Sequence, residues 1–348
     1  MIHKSNVKQS VLFTILIIIL LASFVLGVSI GAVSIPPSEV VRIFFSHIPG
    51  IDRYLSAGLV PEHETIILTM RFPRVVIAAL VGAGLALAGA TFQGLFRNPM
   101  ADPYVIGVSS GAALGAVCSI LVQSIWDIPI RFGIPAFAFV FAVVTIFLVY
   151  SLARVGGKVP VMTLLLSGIA VNSLLSALVS FCMFFSGNQL HQVVFWLLGG
   201  FSGRGWDYVY IFLPYGVVGS TVIFIYAREL NAMLLGEEPA QHLGIEVERV
   251  KRRLLIAAAL LTGACVSVSG LIGFVGLVIP HIVRMLFGPD HRTLLPAVAL
   301  IGAAFLLVAD VLARVVIAPG ELPVGIVTAL VGGPFFIYLL RRQKNSMF

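Results

Sequence analysis

An all-α membrane protein that crosses the bilayer about ten times is the fold class this sequence predicts, and three observations predict it. Of its 348 residues 59% are hydrophobic and 11% are charged, with a mean hydropathy of +1.07, whereas a soluble domain carries about 25% charged residues. Apolar windows of about 20 residues, the length a helix needs to cross the hydrocarbon core, recur from end to end. Within the bilayer such segments satisfy their backbone groups as helices, and the short alternating segments of a β-barrel are absent.

Taken in order, the spans are expected near 11–33, 74–95, 104–124, 132–153, 160–185, 208–228, 253–270, 272–287, 294–316 and 324–340, within a single membrane domain over 1–348. The first follows Lys4 and Lys8. Its apolar core exceeds the 7–15 residues of a signal peptide and no small-residue cleavage site is clear, so it reads as a retained helix. Pro36 to Met70 is expected to be the longest non-helical segment, a polar loop. In the third span Gly107, Gly111 and Gly115 recur every four residues, which allows close helix contact. The eighth, "GLIGFVGLVIP", is short and glycine-rich.

Lysine and arginine in the loops set the direction of crossing. With the N-terminus inside, 15 of the 22 basic residues fall on the cytoplasmic side and 7 outside, which places both termini in the cytoplasm. The net charge of +7 then follows from membrane orientation, and nucleic acid is excluded as a partner. Cys118, Cys182 and Cys265 lie inside predicted helices with no metal-binding spacing and read as small buried hydrophobes.

One polar island interrupts the pattern: "LLGEEPAQHLGIEVERVKRR", Leu234 to Arg253. Pro239 suits the first turn of a short helix that Gly244 ends. Leu243 and Ile245 among the charges suit a docking element for a cytoplasmic partner, the alternative being a solvated loop. The chain offers no energy source or catalytic motif of its own. "VGGKVP" lacks the earlier glycine of a phosphate-binding loop and has Val159 after Lys158, and no H-E-x-x-H, C-x-x-C or G-x-S-x-G occurs. No catalytic residue, metal site or cofactor bound by this chain is therefore expected. An ion-coupled carrier would have to use Asp310 and His281, the conspicuous ionisable groups within spans. Asp310 and Arg314, four apart on one face, are expected to neutralise one another near the outer end instead.

Four stretches carry a resemblance to a known family: "RFPRVVIAALVGAGLALAGATFQGLFRNPMADPYVIGVSSGAALGA" (71–116), "LGEEPAQHLGI" (235–245), "GLIGFVGLVIPHIVRMLFGPDHRTLLP" (270–296) and "ADVLARVVIAPGELPVGIVTALVGGPFFIYLL" (309–340). Together they resemble the FecCD-type permeases of ATP-binding-cassette (ABC) importers for ferric siderophores, haem and cobalamin, over essentially the whole chain. The resemblance implies the fold of cobalamin-importer permeases (type II importers) and a bacterial or archaeal cytoplasmic-membrane protein. It also implies a permease pair, identical or not, two cytoplasmic ABC ATPase subunits that hold ATP and Mg, and an extracytoplasmic solute-binding protein. Under it, the segment about 234–250 couples to the ATPase, with Glu237, Glu238, Pro239, Ala240, Leu243 and Gly244 as contacts. Arg71, Arg74 and Arg314 would meet acidic residues of the binding protein. Asn98 and Met100 would help close a cytoplasmic gate, Asn98 also being placed to hold a turn before Pro99. Thr163, Ser167, Asn172 and Ser176 would line the pathway, positions 163, 167 and 170–174 falling on roughly one helical face, and "HQVVFWLLGGFSG" would form a short outer helix.

Overall fold

The computed structural model describes residues 2–31, 33–46, 59–128, 130 and 132–344, which form fourteen helices among the described residues. They are α1 (Ile2–Ser29), α2 (Pro37–Ser46), α3 (Pro61–Phe96), α4 (Val108–Trp126), α5 (Gly133–Ala153), α6 (Val161–Phe184) and α7 (Leu190–Leu198). There follow α8 (Trp206–Ile225), α9 (Ala227–Leu234), α10 (Glu237–His242), α11 (Val247–Ser269), α12 (Val275–Phe287), α13 (His291–Val315) and α14 (Val324–Lys344). Eight of them (α1, α3–α6, α8, α11 and α13) are long and apolar enough to cross a membrane; α12 and the apolar part of α14 are shorter.

The helices sort into centre and rim by residue size. In α3 and α11, 78% of the most apolar window is buried inside the chain, whereas in α1 and α6 it is 22%. Helix α3 reaches the centre because its glycines let neighbours approach to backbone contact. A Cβ on Gly82 would stand 2.3 Å from the carbonyl oxygen of Gly302 in α13, and one on Gly89 would stand 1.9 Å from that of Gly276 in α12. A Cβ on Gly111 or Gly115 of α4 would stand 2.8 or 2.3 Å from the Phe141 and Phe137 carbonyl oxygens of α5. The rim helices turn Ile18, Leu21, Val144, Phe147, Leu174, Phe181, Val217 and Val218 outward, an apolar surface suited to lipid.

In the described parts of the Pro36 to Met70 segment, 36–46 and 59–70, the structure corrects the expectation of a loop, while 47–58 lie outside the described residues. Helix α2 buries Val40 and Ile43, and Glu39 accepts from His63 at 2.8 Å at the start of α3. Helix α3 begins at Pro61, well before 74, and carries a π-turn over Ile66–Arg71. The Leu68 carbonyl in that turn accepts from the Trp206 indole at 3.1 Å, and Phe72 packs against Phe24, Phe44 and Trp206. Two apolar residues per turn on α2 are too few to register as a span, yet enough to dock it on the bundle.

Candidate functional site

Two polar regions sit at opposite ends of the α3–α13 pair. At the first, α1 stops at Ser29 and leaves its last carbonyls without intrahelical donors. Arg71 donates to the Val28 and Ser29 carbonyls at 3.0 Å each and also to that of Val33. Arg314 donates to Ile30 at 2.8 Å and to Gly27 at 2.9 Å. Two guanidinium groups thus cap one helix, and their charge complements the negative end of its dipole. Asp310 is fully buried; Arg74 binds it through Nη2 at 2.8 Å and Nε at 3.1 Å, and Arg314 Nε lies 3.1 Å from its other oxygen. Arg74 also grips both oxygens of Glu321 at 2.9 and 3.0 Å. Burial acts to raise the Glu321 carboxyl, but its bonds to Arg74 outweigh that and hold it below the usual carboxylate range.

The structure therefore brings Arg71, Arg74 and Arg314 together and spends all three inside the chain, Arg71 and Arg314 being 7% and 6% exposed. The Asp310–Arg314 pair has Arg74 as a third member, which spacing along α13 does not reveal.

At the second end, α9 and α10 form a shelf. Asn231 of α9 accepts at Oδ1 from the His291 backbone N–H at 2.8 Å and lies 2.9 Å from its Nδ1, while its amide donates to Asp290 at 2.6 Å. Asp290 also caps α13 by accepting from the Arg292 N–H. Burial tends to raise the Asp290 carboxyl, but the bonds from Arg292 and Asn231 hold it below its usual value. Nearby, Pro280 has no N–H to give the Gly276 carbonyl one turn back. Gln93 of α3 supplies that bond at 3.3 Å and another to Leu277 at 3.2 Å, with Arg284 holding its oxygen at 3.1 Å. Asn231, Asp290, His291 and Gln93 escape sequence reasoning as a group; only Asp290, a cap residue before an apolar run, carries a local signal.

The shelf separates the six coupling candidates. Ala240 is the fully buried residue of α10, and Glu237 is tied at 2.8 Å to Lys251, itself buried in α11. Glu238, Pro239, Leu243 and Gly244 face outward, Leu243 being 65% exposed. Gly236 (φ +124°) and Gly244 (φ +82°) bound α10 in conformations that suit glycine. A Cβ on Gly236 would lie 3.6 Å from Arg97 Nη1, so the shelf adjoins the turn after α3. In that turn Asn98 Oδ1 accepts from the Met100 N–H at 2.9 Å. Asn98 is exposed and Met100 half-buried.

Helix α6 presses Leu164, Gly168, Val171 and Val179 into the bundle. At 100° per residue this seats Thr163 and Ser167 on one flank of the buried stripe and Asn172 and Ser176 on the other, not on a single face. Thr163, Ser167 and Asn172 are half-buried and Ser176 is exposed. Among the described residues no three His, Cys, Asp or Glu cluster to hold a metal.

A bundle of apolar spans with a buried ion network at one end and a polar shelf at the other defines a polytopic membrane protein. The chain belongs to the FecCD transport family, which matches residues 18–342. It is 50% identical to the cobalamin import system permease protein BtuC of Halobacterium salinarum over 83% of this chain and 77% of that one. It is 42% identical to the hemin transport system permease protein HmuU of Yersinia pestis, over 80% and 84%. With the iron(3+)-hydroxamate import system permease protein FhuG of Bacillus subtilis it shares 35% identity over 98% and 99%. A solved chain of a metal-chelate type ABC transporter in an inward-facing conformation superposes with a TM-score of 0.82 at 32% identity, covering 96% of this chain and 99% of that one. The protein is an ABC importer permease of the cytoplasmic membrane, a transport component rather than an enzyme.

Proposed function

We propose that this permease carries an iron chelate, a ferric siderophore or haem, across the cytoplasmic membrane of a bacterium or archaeon. It works as one of a pair, on two separate ABC ATPase subunits that bind ATP and Mg, and receives cargo from an extracytoplasmic solute-binding protein. The observation that carries the reading is the shelf. Leu243 protrudes on a short helix whose base, Ala240 and Glu237, is pinned to the bundle, as a lever pushed by a cytoplasmic motor requires. Both termini are then cytoplasmic, and the Arg71–Arg74–Arg314 network stands outside.

Docking of the binding protein works through that network by carboxylate exchange. Arg74 holds Glu321, whose side chain is 35% exposed, and an acidic residue arriving from outside competes for the same guanidinium fork. Asn98 and Met100, beside the shelf, close the inner end of the pathway, and the flanks of α6 bearing Thr163, Ser167, Asn172 and Ser176 border it. Cobalamin is the second cargo, favoured by the Halobacterium relative. Purification of the tagged chain from its native membrane tests the proposal. A co-eluting ABC ATPase in about equal amount supports it; a chain that stays alone after cross-linking overturns it.

A further inference from the structure

One side of α11 changes character along its length. Ala264 and Ser267 share a cavity with residues of α5 and α8, where the rings of Phe139 and Tyr215 meet with their centroids 4.5 Å apart. Nearer the shelf, Leu260 and Ile256 are half-buried, and the stripe ends in Arg253, which is exposed, with exposed Arg252 beside it. At 100° per residue positions 253, 256, 260, 264 and 267 fall on one side of the helix. Along α8 the step from Tyr215 to Tyr226, which contacts Arg253, is about 16 Å at 1.5 Å per residue. That is close to half of a hydrocarbon core about 30 Å thick. The stripe is thus apolar for the depth of one leaflet and basic at its end, the pattern of a phospholipid with an anionic headgroup.

The cations are free to take such a headgroup. Arg253 donates through Nη1 to the Tyr226 hydroxyl, and its guanidinium stands 5.9 Å from the centre of that ring, which fixes its direction. Arg228, at the start of α9, is exposed two residues beyond Tyr226. Among the described residues no carboxylate pairs with Arg228, Arg252 or Arg253, whereas Glu246 holds Arg249, and Glu237 and Glu248 hold Lys251. Phe224 and Ile225, just before Tyr226, stay exposed, so the cations border an apolar surface suited to acyl chains. We infer that the ends of α8, α9 and α11 bind the phosphodiester of an anionic phospholipid. Arg252 and Arg253 donate to it as guanidinium forks, Arg228 adds charge, and an acyl chain lies along Ile256 and Leu260. From the importer reading this takes only the side of the membrane, the cytoplasmic leaflet.

The test is native mass spectrometry of the purified full-length chain in neutral detergent, titrated with dioleoylphosphatidylglycerol or dioleoylphosphatidylcholine. It needs neither an ATPase nor a sided membrane, so its failure and that of the importer reading are distinguishable. The anionic lipid is expected to bind about tenfold more tightly than the zwitterionic one, and Arg252→Gln and Arg253→Gln each to weaken it about fivefold. Arg249→Gln removes the same charge from a side chain already held by Glu246 and should leave affinity within about twofold. Arg252 is exposed and unpaired, so its variant should melt like the parent. Equal affinity for the two lipids, or an equal loss in Arg249→Gln, would overturn the site. So would displacement of the anionic lipid by millimolar inorganic phosphate, which makes the ligand a free anion. Parent-like lipid binding in variants that no longer retain an ATPase in pull-down would overturn it too, since the partner is then a protein.

Discussion

Arg71 and Arg314 approach the end of α1 from two different helices and divide its terminal carbonyls between them, Val28 and Ser29 to one, Gly27 and Ile30 to the other. Neither is a surface charge, and each acts as a helix cap in a place water does not serve.

Arg314→Met should therefore cost about 2–4 kcal/mol, because buried carbonyls lose charge-assisted bonds and Asp310 loses a partner. Thermal melting of the detergent-purified chain reads this. A variant that melts with the parent would remove the capping account.

Asp310→Asn leaves two buried guanidinium groups short of one negative charge and should destabilise the fold by about 3–5 kcal/mol. Adding Arg314→Gln should cost less in this background than it does alone, a coupling of about 1 kcal/mol or more. A proton-relay role for Asp310 forecasts the reverse, with unchanged melting, abolished uptake and no coupling.

Gly89→Ala would force a methyl to within 1.9 Å of the Gly276 carbonyl and should cost about 3 kcal/mol or prevent folding. Gly273→Ala, which meets nothing within 4 Å, is the control and should stay within about 0.5 kcal/mol. Fluorescence-detected gel filtration and melting compare the two directly.

On the shelf, Leu243→Asp should leave melting unchanged, because the side chain is already in the open, while ATPase recovery in pull-down falls about tenfold or more. Lys251→Met should lower recovery too, but by loosening the base of α10, visible as faster proteolysis between α9 and α11. If Leu243→Asp retains the ATPase fully, α10 is not the contact.

Glu321 makes the outer network sensitive to acid. Its folded value lies below the ordinary 4.5, so its stabilisation is present above that value and is lost as pH falls through the lowered one. The gap in melting temperature between the parent and Glu321→Gln should narrow as the pH drops below 4.5. A constant gap would mean that Arg74 does not depend on this charge.

The spans were legible because apolar length is a property of the segment alone, and the i, i+4 spacing of Asp310 and Arg314 is likewise local. The shelf was legible as a polar island, though not which of its faces is pinned. What escaped was everything set by one helix meeting another. Arg74 joins Asp310 from 236 positions away, and Gln93 answers a carbonyl freed by Pro280 in another helix. Where α6 points Thr163, Ser167, Asn172 and Ser176 was not legible for a related reason. Small polar residues mark no direction by themselves, and the seating of α6 is decided by Leu164, Gly168 and Val171.

The capping of α1 also has a timetable. The donors for Gly27 and Ile30 lie 287 and 284 residues downstream. At synthesis rates of about 5–20 residues per second, the first helix made waits tens of seconds with its end unfinished, and the ribosome must reach the penultimate long helix before the earliest one is complete. A chain truncated ahead of Arg314 should thus be defective at its beginning as well as its end.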